Sequence, residues 1–121
     1  MTLRTGIDLL EIDRLEGALE RHGERFLARI YTKAEQVLCA GNPASLAARF
    51  AAKEATAKAL GTGLGIVAWV DIEILRADSG APVLRLSGKA LALAEELGLR
   101  EWAISLSHTH EYAIASVVAS G

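Results

Sequence analysis

The chain has 121 residues, 51% of them apolar and 23% charged, which is too hydrophobic for disorder and long enough to close a core without a disulfide or structural metal. Its 13 basic and 15 acidic side chains leave a net charge of −2, so the molecule as a whole has no field to attract nucleic acid. The single cysteine, Cys39, excludes an internal disulfide and fits a reduced, cytoplasmic setting, and no apolar run approaches the roughly 18 residues of a membrane span, which disfavours secretion and membrane insertion.

Residues 3–10 alternate Leu3, Thr5, Ile7 and Leu9 against Arg4, Gly6, Asp8 and Leu10, a strand whose second face carries an acid. From Ile12 the period becomes helical: Ile12, Leu15, Leu19, Phe26 and Ile30 fall within about 60° of one another at 100° per residue. Arg14, Arg21, Arg25 and Arg29 make a second stripe and Glu16, Glu20 and Glu24 a third, and His22-Gly23 is a point where the helix can divide. Asn42-Pro43 starts a further alanine-rich helix that runs to Leu60 and is closed by Gly61. Gly61-Thr62-Gly63-Leu64-Gly65 then forms a loop free to take positive φ and to bring backbone amides to a ligand. Ile66–Leu75 reads as a strand, Asp78-Ser79-Gly80-Ala81-Pro82 as a turn, and residues 83–86 as the returning arm of a hairpin. Ser87 caps a helix to Leu97 that Gly98 closes, and residues 102–107 and 112–119 are a final strand pair joined through His108-Thr109-His110-Glu111. The expected fold is one α+β domain, residues 1–121, with a mostly antiparallel sheet and packed helices.

Two features of the composition bear on partners. The chain has 22 Ala and 18 Leu against six aromatic residues, few bulky groups for a core, which hints that copies of the chain complete each other's burial. Charge is uneven: residues 1–60 carry nine basic and eight acidic groups (+1), residues 61–121 four and seven (−3). The basic excess between Arg14 and Lys33 is where an acidic partner would dock, though the interleaved glutamates are also what a solvated helix face contains.

Phe50, Glu54 and Lys58, at i, i+4 and i+8, share one helical stripe. In isolation Glu54 and Lys58 are an ordinary surface pair; the glycine loop that follows raises the stakes, because a phosphate touched by the ammonium can also meet backbone N–H groups. Asp8, Glu54, Lys58 and His108 form a set suited to a magnesium-bound diphosphate, since two carboxylates, waters and substrate phosphates satisfy the octahedral oxygen preference of Mg²⁺.

The motifs, in order, resemble the holo-acyl-carrier-protein synthases, the small single-domain 4′-phosphopantetheinyl transferases. The likeness rests on Thr5-Gly6-Ile7-Asp8-Leu9-Leu10-Glu11-Ile12-Asp13-Arg14, Arg49-Phe50-Ala51-Ala52-Lys53-Glu54-Ala55 with Lys58, Gly61-Thr62-Gly63, Asp71-Ile72-Glu73-Ile74, Gly80 with Pro82, and Ser105-Leu106-Ser107-His108-Thr109 before Tyr112-Ala113. It implies Mg²⁺-dependent transfer of the 4′-phosphopantetheine arm of coenzyme A to a serine of apo acyl carrier protein in fatty acid biosynthesis. By the same resemblance Asp8 and Glu54 hold the metal, Lys58 neutralises phosphate charge, and Gly61, Gly63 and Gly65 belong to the loop around the nucleotide. Arg49, His108 and Thr109 match positions near the 3′-phosphate, and Arg14, Arg21 and Arg25 are candidate carrier-protein contacts. The serine proton has two routes, to Glu54 directly or through a water at the metal. A homotrimer with sites between subunits is implied, Asp8, Glu54 and Lys58 coming from one chain and His108 with Thr109, or Arg49, from its neighbour.

Two positions depart from that pattern: Ala81 stands where a lysine is usual, and Trp69 where phenylalanine is more usual. Trp69 and Trp102 read as packing residues, Cys39 as an inert thiol, and the His108–His110 pair lacks a third zinc ligand. Readings of a different class are a non-catalytic binding module, which losing Asp8, Glu54 or Lys58 would have favoured, and another metal-dependent transferase or hydrolase of nucleotide diphosphates, against which the basic docking stripe argues.

Overall fold

The computed structural model describes residues 2–121. In chain order the elements are β1 (Leu3–Glu11), α1 (Ile12–Ile30), α2 (Lys33–Cys39), α3 (Pro43–Ala59), a 3₁₀ turn (Trp69–Asp71), β2 (Ile72–Arg76), β3 (Pro82–Leu86), α4 (Gly88–Glu96), β4 (Glu101–His108) and β5 (Tyr112–Ser120). The fold is α+β, as its sequence pattern indicates. Strands β1, β5 and β4 form one antiparallel sheet in that order, with Asp8 opposite Ala115 and Leu106 opposite Ala115 on the other side. Strands β2 and β3 form a separate antiparallel hairpin, Arg76 opposite Pro82.

Helix α3 lies across the sheet at short range because both surfaces are nearly bare. Its Ala51, Ala52, Ala55 and Ala59 are all fully buried, and they meet Ala115, Val117 and Ala119 of β5. On β1, a Cβ placed on Gly6 would run into the carbonyl of Ala55 and come within 3.1 Å of the Ala59 nitrogen. The alanine excess therefore serves close helix–sheet contact, with no room for branched side chains. Asn42 caps α3 by accepting from the Ser45 N–H at 3.0 Å, with proline in the first turn. At the other end, Arg4 Nε donates to the Ala59 carbonyl at 2.9 Å.

A second core joins α1, α2 and α3 through Ile12, Leu15, Ile30, Tyr31, Cys39, Leu46 and Ala47. Helix α1 is kinked where its sequence suggested, with Gly23 at φ 51° and ψ −127°. Helix α2 opens on a capping box between Thr32 and Glu35.

Between the two cores sits an ion pair with both side chains fully buried: Lys53 Nζ lies 2.8 Å from Glu35 Oε1 and also donates to the carbonyls of Trp69 and Ile72. Glu35 accepts in addition from the N–H groups of Thr32 and Ile74, each at 2.9 Å. This pair overrides the strand expected over Ile66–Leu75. With the Trp69 carbonyl turned to Lys53, residues 69–71 coil into a 3₁₀ turn, Ile66 and Val70 stay exposed, and only Ile72 and Ile74 of the apolar alternation reach the core.

The row of β1 carrying Arg4, Gly6, Asp8 and Leu10 faces α3, and the more apolar row faces out, with Leu3 65%, Ile7 58% and Leu9 60% exposed. Tyr112 and Val118 of β5 are exposed beside it, so the outer face of the sheet carries an uncovered apolar patch along β1 and β5 in a single chain.

Candidate active site

Asp8 reaches the helical layer because it shares the inward row of β1 with Gly6, whose missing side chain lets α3 approach. Lys58 Nζ crosses back to the strand, donating to the Ile7 carbonyl at 2.8 Å and lying 3.3 Å from Asp8 Oδ1. That pair is open to solvent, the Lys58 side chain 54% and the Asp8 side chain 19% exposed, so it positions more than it stabilises.

Glu54, one turn before Lys58, lines the same cleft as Asp8. Its carboxyl is raised above the ordinary glutamate range, first by burial and then by the Asp8 carboxylate, while Lys58 pulls the other way. Two carboxylates that repel each other at the edge of a cleft are a donor set that a hard divalent cation relieves. Among the described residues no group of three metal-ligating side chains occurs, so a cation here would complete its shell from water and substrate oxygens. The oxygen-only donors suit Mg²⁺ and not zinc.

The cleft has a volume of about 610 Å³. Asp8, Glu54 and Asp13 give it an acidic side, Arg14 and Arg21 a basic rim, and Leu15, Phe26 and Phe50 an apolar floor. The floor is held by aromatic packing, Phe26 stacked on Phe50 at 6.4 Å between centroids and Phe50 against Trp69 at 4.7 Å. Trp69 is thus a packing residue, as expected. Arg25 is not part of this cleft; it lines a neighbouring hollow with His22, Phe26 and Arg29, around the Gly23 kink.

Arg49 and His108 come together elsewhere, in a hollow of about 190 Å³ that shares no residue with the first cleft. Thr109 stays out of both. Its hydroxyl accepts from the N–H groups of Glu111 and Tyr112, at 3.2 and 3.1 Å, and closes the β4–β5 turn. The glycine loop is also less open than its composition implies. Gly61 and Gly65 take positive φ, but the N–H groups of Gly61, Thr62 and Gly65 donate to the carbonyls of Lys58, Ala57 and Val67. Among the described residues only the Gly63 and Leu64 amides of that loop lack an internal acceptor.

The sequence reading missed Arg76, which lines the same hollow as Arg49. The hairpin turn at Gly80-Ala81-Pro82 was the available signal, because it places the last residue of β2 across from Pro82.

The sequence model of the 4′-phosphopantetheinyl transferase superfamily matches residues 4–117. The chain belongs to that superfamily. It is 52% identical over 126 residues to a holo-[acyl-carrier-protein] synthase of Herpetosiphon aurantiacus, covering 98% of this chain and 99% of the relative. A synthase of the same name from Moorella thermoacetica is 53% identical over 116 residues, covering 93% and 90%. Among solved structures, the Helicobacter pylori holo-[acyl-carrier-protein] synthase in complex with coenzyme A superposes with a TM-score of 0.88 at 35% identity, covering 96% of this chain and 99% of that one. The Neisseria meningitidis synthase gives 0.87 at 36% identity, with 98% of each chain covered. These phosphopantetheinyl transferases share the whole fold with this chain, from β1 to β5.

Proposed function

We propose that residues 1–121 act as one holo-[acyl-carrier-protein] synthase domain. It moves the 4′-phosphopantetheine arm of coenzyme A to a serine of apo acyl carrier protein, releasing adenosine 3′,5′-bisphosphate and supporting fatty acid biosynthesis in the cytoplasm. The observation that carries this reading is the convergence of Asp8 and Glu54, from β1 and α3, in one cleft that Arg14 and Arg21 also line, with Lys58 held against Asp8.

In the reaction the serine oxygen bonds to the phosphorus that bears pantetheine, and the bond from that phosphorus to the diphosphate bridging oxygen breaks. Such transfers need positioning and charge stabilisation more than covalent help. Asp8 and Glu54 would hold Mg²⁺, which when bound neutralises charge on the diphosphate oxygens. Lys58 keeps a donor for phosphate oxygen beyond its two contacts to β1, and the Gly63 and Leu64 amides are the loop groups free to join it. The serine proton goes to Glu54 directly or through a water at the metal.

Arg14 and Arg21 at the cleft rim match an acidic carrier protein that presents its serine to Glu54, and Arg25 extends the basic surface past the kink. The 3′-phosphate belongs with Arg49 and His108. Because that hollow and the acidic cleft are separate in one chain, and the outer face of the sheet carries an apolar patch, a homotrimer that covers the patch and brings one chain's hollow to its neighbour's cleft fits both facts. The test is mass spectrometry of apo carrier protein incubated with the chain, coenzyme A and Mg²⁺. A gain of one phosphopantetheine supports the reading; no gain with a competent carrier protein refutes it.

A further inference from the structure

Arg49 is a guanidinium with only 5% of its surface exposed, and its charge has no counter-ion. Nε donates to the Ile74 carbonyl at 3.1 Å and Nη1 to the Ser45 carbonyl at 3.3 Å, both neutral acceptors. Among the described residues the carboxylate contacts within 4.0 Å are Lys53 with Glu35 and Lys58 with Asp8, and neither involves Arg49. Buried charges in proteins are paired or neutralised, so a guanidinium in this position calls for an anion.

The hollow beside it supplies the space. Ser45, Ser107 and His108 add donors, no acidic residue lines it, and it has a volume of about 190 Å³. That leaves room for a phosphate group. The remaining cation on the wall is Arg76, the last residue of β2, exposed and without a carboxylate partner among the described residues. The other arginine of the hairpin, Arg85, sits across the ladder from Glu73, and the turn carries Ala81, so Arg76 is the charge that this hairpin offers the hollow.

We propose that Arg76 binds the 3′-phosphate of the donor together with Arg49 and His108, and that it sets the preference of this chain for coenzyme A over 3′-dephospho-coenzyme A. The proposal rests on the donor assigned above. Arg49 lies under the hollow as a fixed, hydrogen-bonded charge. Arg76 stands at its edge, on a long side chain with all five donors free to close over an arriving phosphate.

The test compares parent, Arg76→Ala and Arg76→Lys with coenzyme A and with 3′-dephospho-coenzyme A as donors, reading KM and kcat separately. Arg76→Ala should raise KM for coenzyme A roughly tenfold and shrink the preference over the dephospho donor by the same factor, and Arg76→Lys should recover part of it. Calorimetry with adenosine 3′,5′-bisphosphate and adenosine 5′-monophosphate reads the same preference without catalysis, so it holds its meaning even if no carrier protein is modified. An unchanged ratio in Arg76→Ala, in either assay, overturns the role of Arg76 while leaving the transferase reading intact. A parent that binds both nucleotides equally overturns the placement of the 3′-phosphate as well.

Discussion

Replacing Glu35 with alanine should unfold most of the protein, although Glu35 touches neither cleft. Its carboxylate accepts from Lys53 Nζ, Thr32 N–H and Ile74 N–H, and both it and Lys53 are fully buried. Removing one partner of a buried ion pair costs about 3–5 kcal/mol. Each orphaned amide adds about 1–3 kcal/mol where water cannot reach it. The total is comparable with the whole stability of a domain, about 5–15 kcal/mol. Urea unfolding followed by far-UV circular dichroism measures it, and a double-mutant cycle with Lys53→Met isolates the pair. The Glu35→Leu/Lys53→Met protein should be markedly more stable than the sum of its two single losses, because no charge is left stranded.

The pH response has a definite sign. Burial already holds Lys53 below the ordinary lysine range, and Glu35 is the main influence opposing that shift. Without Glu35 the folded state binds fewer protons than the unfolded one between the two lysine pKa values, so the stability of Glu35→Ala should rise as pH climbs through that window. The reasoning fails if Glu35→Ala loses less than about 1 kcal/mol, well below the cost of a broken buried pair, or if the double variant equals the sum.

The other expectations concern the site. Glu54→Gln and Asp8→Asn should each lower transfer by orders of magnitude with the fold retained, measured by carrier-protein mass and circular dichroism. Because burial and Asp8 raise the Glu54 carboxyl, the folded state favours its protonated form, and the stability this lends is present in acid and lost as pH rises through the raised value. Metal-free Glu54→Gln should therefore melt higher than the parent at neutral pH, a gain that Asp8→Asn reproduces in part. Arg14→Ala and Arg21→Ala should raise KM for carrier protein and flatten its dependence on ionic strength, leaving KM for coenzyme A nearly unchanged; equal effects on both substrates would count against docking at the cleft rim. Mixing inactive Glu54→Gln with an inactive His108 variant should restore part of the activity if subunits share sites, and no recovery after confirmed exchange argues against sharing.

Much of this was legible in the sequence because the signals were local. Asn42-Pro43, the glycines at 23 and 61, and the period-two rows of β1 each state their conformation within a few residues. The i, i+4 spacing put Glu54 and Lys58 on one stripe before any fold was known. What escaped was decided at long range. A strand over Ile66–Leu75 is what alternation alone implies; the turn at Trp69 depends on a lysine 16 residues earlier taking its carbonyl. The glycine loop looked like a cradle of amides, but three of its five N–H groups are spent on the end of α3 and on the loop itself. Thr109 shares a motif with His108 yet closes a turn, and Arg76 has no motif, becoming visible only once the hairpin is laid beside Arg49.

The contact between Gly6 and Ala55 has a consequence for catalysis. Two residues along the strand from Gly6 is Asp8, and one residue along the helix from Ala55 is Glu54, so the spacing of the two backbones that carry the paired acids is gauged by main chain seated on main chain. Such a spacer has no rotamers to change. Repacking of the core by drift or by heat should leave the backbone positions of the two acids untouched, whereas a single methyl at Gly6 would prise strand and helix apart.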